Sequence, residues 1–423
     1  MATLTPPRGW GESKPASEPR QSAAAWLGAL LDRPLTSYHL VLGATAILLA
    51  LGVLMVLSAS SVSAYLSHHD SYFYVKRQAI FLAAGLVGAL LLMKLPHARL
   101  RVISWFGIAL ALVLLILTYT PLGIEVKGNR NWLDVGVPSF SIQPAEFAKL
   151  AMIVWGAELL ARKRKLLDQP KHLLVPYLPV CGLLILLVVF QGDAGTAVVL
   201  AAITVGVLWI VGAPMRVLAG LGLTGLAGVV ALFVTSPVRM RRLAAFIDPT
   251  AQLNGANDQA NAGMYAIASG GWWGVGLGAS RQKWGGLPEA HTDFVFAVIG
   301  EELGLFGSLI VLALYLVLGY AGLRVASRSD DDFARYAAGG VTVWFIFQAL
   351  INLAVVLRML PIAGVPLPLL SYGGSALVAN LLAVGVLLSC ARREPAARQL
   401  FARRSAKPQP RMTTVVGTRT PRS

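Results

Sequence analysis

The chain has 423 residues, of which 56% are hydrophobic and only 13% charged, with a mean hydropathy of +0.67. That leaves too few polar residues to cover a soluble globule of this size, so an integral membrane protein is expected. The net charge of +16 would point to nucleic acid in a soluble protein, but in a membrane protein the basic residues are read by side, and no nucleic-acid partner is expected. Cys181 and Cys390 lie in or beside apolar runs far apart in sequence, which indicates neither a disulfide framework nor a cysteine metal site.

Residues 1–37 are rich in Pro, Ser, Ala and charge and contain no apolar run long enough to span, so they read as a disordered tail rather than a signal peptide. Ten apolar stretches then follow, near 38–58, 78–95, 102–119, 145–161, 172–190, 194–213, 217–235, 294–323, 336–355 and 371–390. Each is of the roughly 17–25 residues that cross hydrocarbon as a helix. The expected fold is all-α, a polytopic ten-helix membrane domain over 38–390 with a second disordered, basic tail over 391–423. Ten crossings put both termini on one side. With that side taken as inside, the inner segments hold 25 of the 36 Lys and Arg residues, including the RKRK run at 162–165, so both termini are expected in the cytoplasm.

The outer segment 236–293, between the seventh and eighth spans, is far longer than an ordinary connection. It collects Arg239, Arg241, Arg242, Asp248, Asp258, Arg281, Lys283, Glu289, His291 and Asp293. A solvated loop explains that composition about as well as a functional one does. Trp272, Trp273 and Trp284, among glycines, suit a segment at headgroup depth. Asp293 is the last residue before an apolar run, where it suits a general base, although an N-cap for the next span is the blander role. His291 can orient a substrate or stand by. Glu301 and Glu302 lie inside the eighth span, where each needs a partner; Lys149 and Arg358 are the candidates.

In SIQPAEFAKL, Gln143 and Pro144 precede a helix, with Glu146 in its first turn and Lys149 three residues on, so these charges must be buried in protein. QGDAGT at 191–196 reads as a tight turn, with Asp193 facing solvent or a cavity. LPIAGVPLPLLSYGGSA at 360–376 brings three prolines and two adjacent glycines to membrane depth, which suggests a re-entrant wall lining a groove. Gln348 and Asn352, four apart, suit interhelical hydrogen bonding.

QPAE at 143–146, GLPEAHTDFVFAVIGEELG at 286–304 and LPLLSYGGS at 367–375 resemble the SEDS family (shape, elongation, division and sporulation), the polytopic bacterial glycosyltransferases that polymerise lipid II into peptidoglycan. The likeness extends over most of 40–392 in order and spacing. PEAHTDF followed by IGEELG, with the basic tails, is more similar to the division branch than to the elongation branch. The resemblance implies that Asp293 is the catalytic base and that Arg239, Arg242, Lys283 and Glu289 contact substrate, and His291 is counted with them from its position. It implies further substrate-side positions at Gln143, Glu146, Gln348, Asn352, Ser371, Tyr372, Gly373 and Gly374, and Lys149 joins them by its spacing from Glu146. Arg239 and Arg242 match a basic pair preceding a loop element that ends at Asp248-Pro249.

Three departures stand out. Asn131-Trp132 replaces the family's Arg-Trp, Gly192 replaces a common Pro, and Ile362-Ala363 replaces a frequent Thr-Lys. The first and third each remove a cation from the outer surface.

Extending a glycan on a polyprenyl diphosphate needs a base for the acceptor 4-hydroxyl and cations for the departing diphosphate. One carboxylate suffices for a single inversion, because diphosphate leaves without an acid. A divalent cation could share the diphosphate charge, but no ligand cluster identifies one, and no metal site or other cofactor is assigned. The expected partners are lipid II, the growing strand, membrane lipids, other division proteins and, by the resemblance, a class B penicillin-binding protein. The expected location is the bacterial cytoplasmic membrane at the division septum. A lipid-linked precursor flippase or transporter is the competing class, and an elongation-type polymerase the competing branch.

Overall fold

In the computed structural model the residues described are 33–405, apart from Lys127, Val135, 137–139, 249–255 and Gly285. The expected tails 1–32 and 406–423, and Pro249, lie outside them. Ten long helices stand where the ten spans are expected: α1 Thr36–His68, α2 Phe73–Lys94, α3 His97–Leu117, α4 Pro144–Arg162, α5 Pro170–Leu174 running into α6 Tyr177–Phe190, α7 Ala194–Val211, α8 Met215–Val234, α11 Val295–Arg328, α12 Asp332–Val356 and α13 Gly374–Ala391. The long segment between α8 and α11 holds α9 Pro237–Ile247 and α10 Ala256–Gly270. Among the described residues, nine helices are long and apolar enough to cross a membrane. The exception is α4, which carries Glu146, Lys149 and Glu158. The chain is a multi-pass, helix-rich membrane protein, but hydropathy alone carries the count to nine rather than ten.

The bundle is built around α4, α12 and α13, whose apolar faces are covered almost all round, whereas α8 lies at the edge with little of its surface buried. Within α4 the run LAMIVWGA at 150–157 is apolar, and its charges are confined to the two ends. Each end therefore has to find its own polar partners. Buried Trp155 stacks on Tyr177 of α6 with ring centroids 6.2 Å apart.

Three features depart from the sequence expectations. Three short strands form a small antiparallel sheet, β1 Gly123–Val126, β2 Asn129–Asp134 and β3 Ser141–Ile142, with Gly123 opposite Leu133 and Leu133 opposite Ile142. The expected unbroken eighth span is kinked inside α11 at Gly304, whose φ of 68° and ψ of −162° only glycine adopts readily. Here the GGWWGVG loop presses on the helix: Val275 N and Gly276 N donate to the Glu301 and Glu302 carbonyls at 2.9 and 3.1 Å. Thirdly, the segment expected to be disordered from residue 391 is helical over α14, Pro395–Ser405. Proline at its first position suits a helix start, Ala397 is fully buried, and Arg398 reaches Asp330 at 3.3 Å.

Candidate functional site

Asp293 sits in a turn built by Glu289, whose carbonyl accepts from Thr292 N and Phe294 N and whose carboxylate accepts from Thr292 Oγ1 at 2.8 Å. Glu289 takes a left-handed φ of 56°, an uncommon conformation for a residue with a Cβ and one that closes the turn tightly. Phe294, the residue after Asp293, occupies the N-cap position of α11, and its side chain makes no capping hydrogen bond. Asn352 of α12 fixes the turn from below, its Nδ2 donating to the Asp293 carbonyl at 2.7 Å and the Val365 carbonyl at 2.8 Å. A Cβ on Gly364, where φ is 67°, would stand 3.7 Å from Asp293 Oδ2. The half-buried carboxylate thus lies against the proline-rich segment.

Residues 360–373 contain neither helix nor strand, yet Val365, Leu367, Leu369 and Leu370 are buried. The backbone polar groups of such a segment must be met by protein. Gln348 Nε2 donates to the Pro366 carbonyl at 2.8 Å, Tyr315 OH to Pro368 at 2.5 Å, and Arg242 Nη1 to Ile362 at 3.3 Å. The expected irregular wall is present, held by side chains from α9, α11 and α12.

The basic pair reaches this wall from α9. Arg239 and Arg242, three apart, share a helix face. Arg239 Nη2 donates to the Gly192 carbonyl at 3.2 Å and Nη1 to Leu232 at 3.1 Å. Desolvation by the surrounding protein lowers the Arg242 pKa, Asp293 opposes that and Arg239 adds to it; the side chain nevertheless keeps solvent access and remains a cation. Arg239, Arg242 and Asp293 are therefore one electrostatic cluster, while Arg241, two residues on from Arg239, lies on another face of α9.

Other candidates stand around this cluster in supporting positions. Gln143 Nε2 donates to Asp193 at 3.1 Å, and its backbone N–H to Ser375 Oγ at 3.0 Å. Glu146 and Lys149 form a buried pair at 2.8 Å. Lys149 also donates to Gln348 at 2.9 Å and lies 4.9 Å from the Trp344 ring centre, and Trp344 Nε1 donates to the same Gln348 oxygen. Glu146, Lys149 and Gln348 are buried, and Gln348 links them to the wall. Ser371 Oγ accepts from Leu367 N at 2.9 Å, folding the wall back on itself. Tyr372 N donates to the His291 carbonyl, and the rings of Tyr74, His291 and Tyr372 cluster with centroids 4.7 to 5.4 Å apart. Gly373 precedes α13, and a Cβ on Gly374 would strike the Phe81 ring at 2.4 Å.

Lys283 is tied into the protein. It is buried against Glu302 at 3.6 Å and donates to the Gly278 carbonyl, so it locks the loop to α11. Glu302 also accepts from Ser58 Oγ at 2.6 Å, and Glu301 from Ser280 Oγ at 2.6 Å and Arg281 N at 2.9 Å. The partners expected for the two glutamates are therefore corrected: Lys149 is taken by Glu146, and Arg358 reaches Asn261 at 2.5 Å. The loop, with Ser58 of α1, supplies the compensating groups.

Sequence reasoning gave too little weight to Asp193 and Asn131 and missed Tyr74 and Arg77. Asp193 caps α7 through Thr196 N at 3.0 Å and accepts from Asn131 Nδ2 at 3.0 Å. The Asp-Ala-Gly-Thr spacing is a capping signal that was available. At the Asn131 departure a neutral amide thus satisfies a buried carboxylate. Arg77 lies 5.5 Å from the Phe140 ring centre and within hydrogen-bonding reach of Tyr372, whose pKa burial raises while Arg77 opposes. Among the described residues no three His, Cys, Asp or Glu side chains are grouped to hold a metal ion.

A helical bundle with an irregular wall at one end, and with a carboxylate and two arginines converging on it, defines a polytopic membrane protein with a polar site at the bundle's end. The sequence model of the cell cycle proteins FtsW, RodA and SpoVE matches residues 38–395, and the chain belongs to that family. It is 39% identical over 391 residues to a probable peptidoglycan glycosyltransferase FtsW of Mycobacterium bovis, covering 91% of this chain and 73% of the relative. It is 38% identical over 349 residues to stage V sporulation protein E of Bacillus subtilis, covering 82% and 95%. Among solved structures it is similar to a chain of a peptidoglycan synthase complex that coordinates polymerization and crosslinking, with 27% identity, TM-score 0.67 and coverage of 84% and 97%. It is also similar to the rod shape determining protein RodA of Thermus thermophilus, with 28% identity, TM-score 0.61 and coverage of 84% and 96%.

Proposed function

We propose that this chain is a peptidoglycan glycosyltransferase that builds β-1,4 glycan strands from lipid II during cell division, with Asp293 as its catalytic base. The observation that carries this reading is that Asp293 and Arg242 meet the same stretch of the wall, the Asp293 carboxylate beside Gly364 and Arg242 Nη1 on the Ile362 carbonyl. Asp293 accepts the proton of the acceptor sugar's 4-hydroxyl as that oxygen attacks the donor's anomeric carbon. The carbon inverts, and undecaprenyl diphosphate departs with the bonding electrons. Arg242 and Arg239 receive its charge; their forked donors suit two phosphate oxygens at once. Both now rest on backbone carbonyls, neutral acceptors that leave the positive charge for a ligand. A divalent cation at the diphosphate would take its ligands from the phosphates, since the described residues offer no cluster for it.

The distribution of basic residues supports ten crossings with both termini in the cytoplasm and the Asp293 end facing out. A class B penicillin-binding protein is the partner that this reading implies, and the septum its place of work, with other division proteins recruited through the basic tails. The test is purified protein with fluorescent lipid II, with and without the transpeptidase. Wild type is expected to give glycan ladders and Asp293→Asn none at equal expression; ladders from the variant would remove Asp293 from the reaction.

A further inference from the structure

At the end of the bundle opposite Asp293, a cavity of about 480 Å³ lies between the end of α2, the start of α3, the α11–α12 turn and the end of α13. The 21 residues of α3, at about 1.5 Å each, separate it from the site end by roughly 30 Å. Its lining is basic, with Lys94, Arg392, Arg393 and Arg398 against Asp330 and Asp331. Both carboxylates are already engaged: Asp331 with Arg101 at 2.5 Å and His97 Nδ1 at 3.3 Å, and Asp330 with Arg398 at 3.3 Å. Arg393 donates to the Leu95 carbonyl, and neither it nor Lys94 forms an ion pair among the described residues.

Two buried polar atoms on the lining have no hydrogen-bond partner, His97 Nε2 and Ser389 Oγ, in residues 5% and 1% exposed. Native interiors rarely leave such groups unmet. Because His97 Nδ1 donates to the Asp331 carboxylate, its Nε2 is left as an acceptor; an acceptor nitrogen and a hydroxyl beside two cations that lack an anion match an oxyanion that carries an acid hydroxyl as well as acceptor oxygens, and the surplus of positive charge disfavours a metal ion. We propose that this cavity binds a phosphate group, with Lys94 and Arg393 as its counter-charges and His97 and Ser389 as its hydrogen-bonding partners. The phosphate can come from a lipid headgroup or from a soluble phosphate, and the site stands whether or not the polymerase reading holds.

The test uses the purified full chain in two arms: melting temperature with inorganic phosphate against chloride at equal ionic strength, and native mass spectrometry of retained phosphatidic acid against phosphatidylcholine. Binding is expected in at least one arm, weakened tenfold or more in Lys94→Gln/Arg393→Gln, severalfold in Ser389→Ala and unchanged in Arg99→Gln. A phosphate-dependent rise in melting temperature identifies a soluble ligand, while selective retention of phosphatidic acid alone identifies a headgroup. Folded wild type that binds neither probe, or binding undiminished in the double variant, overturns the proposal. Should the double variant fail to fold, wild-type binding by Ser389→Ala overturns it equally.

Discussion

The two ends of the bundle solve the same problem, polar groups at the ends of apolar helices, in opposite ways. At the end away from Asp293, carboxylates and guanidiniums neutralise one another directly. Glu158 is shared by Arg101 and Arg162, Asp331 by Arg101 and His97, and Arg164 reaches Asp332 at 3.0 Å. At the Asp293 end the lysines Lys149 and Lys283 are buried in pairs with Glu146 and Glu302, but Arg239 and Arg242 rest on backbone carbonyl oxygens, and the buried carboxylate Asp193 is met by amides. Ion pairs fix helices that only need to stay in register. Neutral acceptors hold arginines in place without spending their charge, which suits an end where an anionic ligand arrives.

That contrast can be broken most severely at Asp293: Asp293→Asn is expected to lower polymerisation at least 100-fold with the protein still folded, because the amide keeps the shape but cannot take the proton. Next in size is Lys149→Ala, which strands Glu146 in the protein interior. Breaking a buried pair costs about 3–5 kcal/mol, so a large drop in melting temperature or loss of the purified protein is expected. An unchanged melting temperature would show that the pair is not structural.

Removing the guanidinium in Arg242→Ala or Arg239→Ala is expected to weaken lipid II use tenfold or more, with Arg241→Ala within about twofold. Equal losses at all three would mean a diffuse field in place of a clamp. The smallest effect is expected from deleting 406–423, which leaves α14 intact: polymerisation in vitro should stay within twofold, while septal localisation of the same protein falls. Lost polymerisation with intact localisation would overturn the division of labour between the ends.

The helices were legible because runs of about 20 apolar residues leave few alternatives, and Asp293, Arg239 and Arg242 were legible as charges gathered in one long outer segment. What sequence could not give was direction. Lys283, Glu146 and Lys149 look as available in the sequence as Arg242 does, yet all three are buried in pairs, and pairing depends on which helices become neighbours. Glu302 sits 244 positions from the Ser58 hydroxyl that donates to it. The sheet at 123–142 was missed because its strands are only two to six residues long, with a weak period-two signal.

The break at Gly304 also sets a length scale. The apolar run expected at 294–323, continued helically to Arg328, makes α11 34 residues, about 50 Å as one straight rod and too long for a hydrocarbon layer of about 30 Å. Divided at Gly304, the remainder from Leu305 to Arg328 is about 36 Å, a length that matches a bilayer with modest tilt. The piece from Val295 to Leu303 is surplus to the crossing. Glu301 and Glu302 are thereby relieved of a position deep in hydrocarbon, and their carboxylates meet loop hydroxyls, backbone amides and Lys283 instead of lipid. One glycine thus converts an oversized hydrophobic segment into a membrane anchor of ordinary thickness and a short platform whose leading edge carries Asp293.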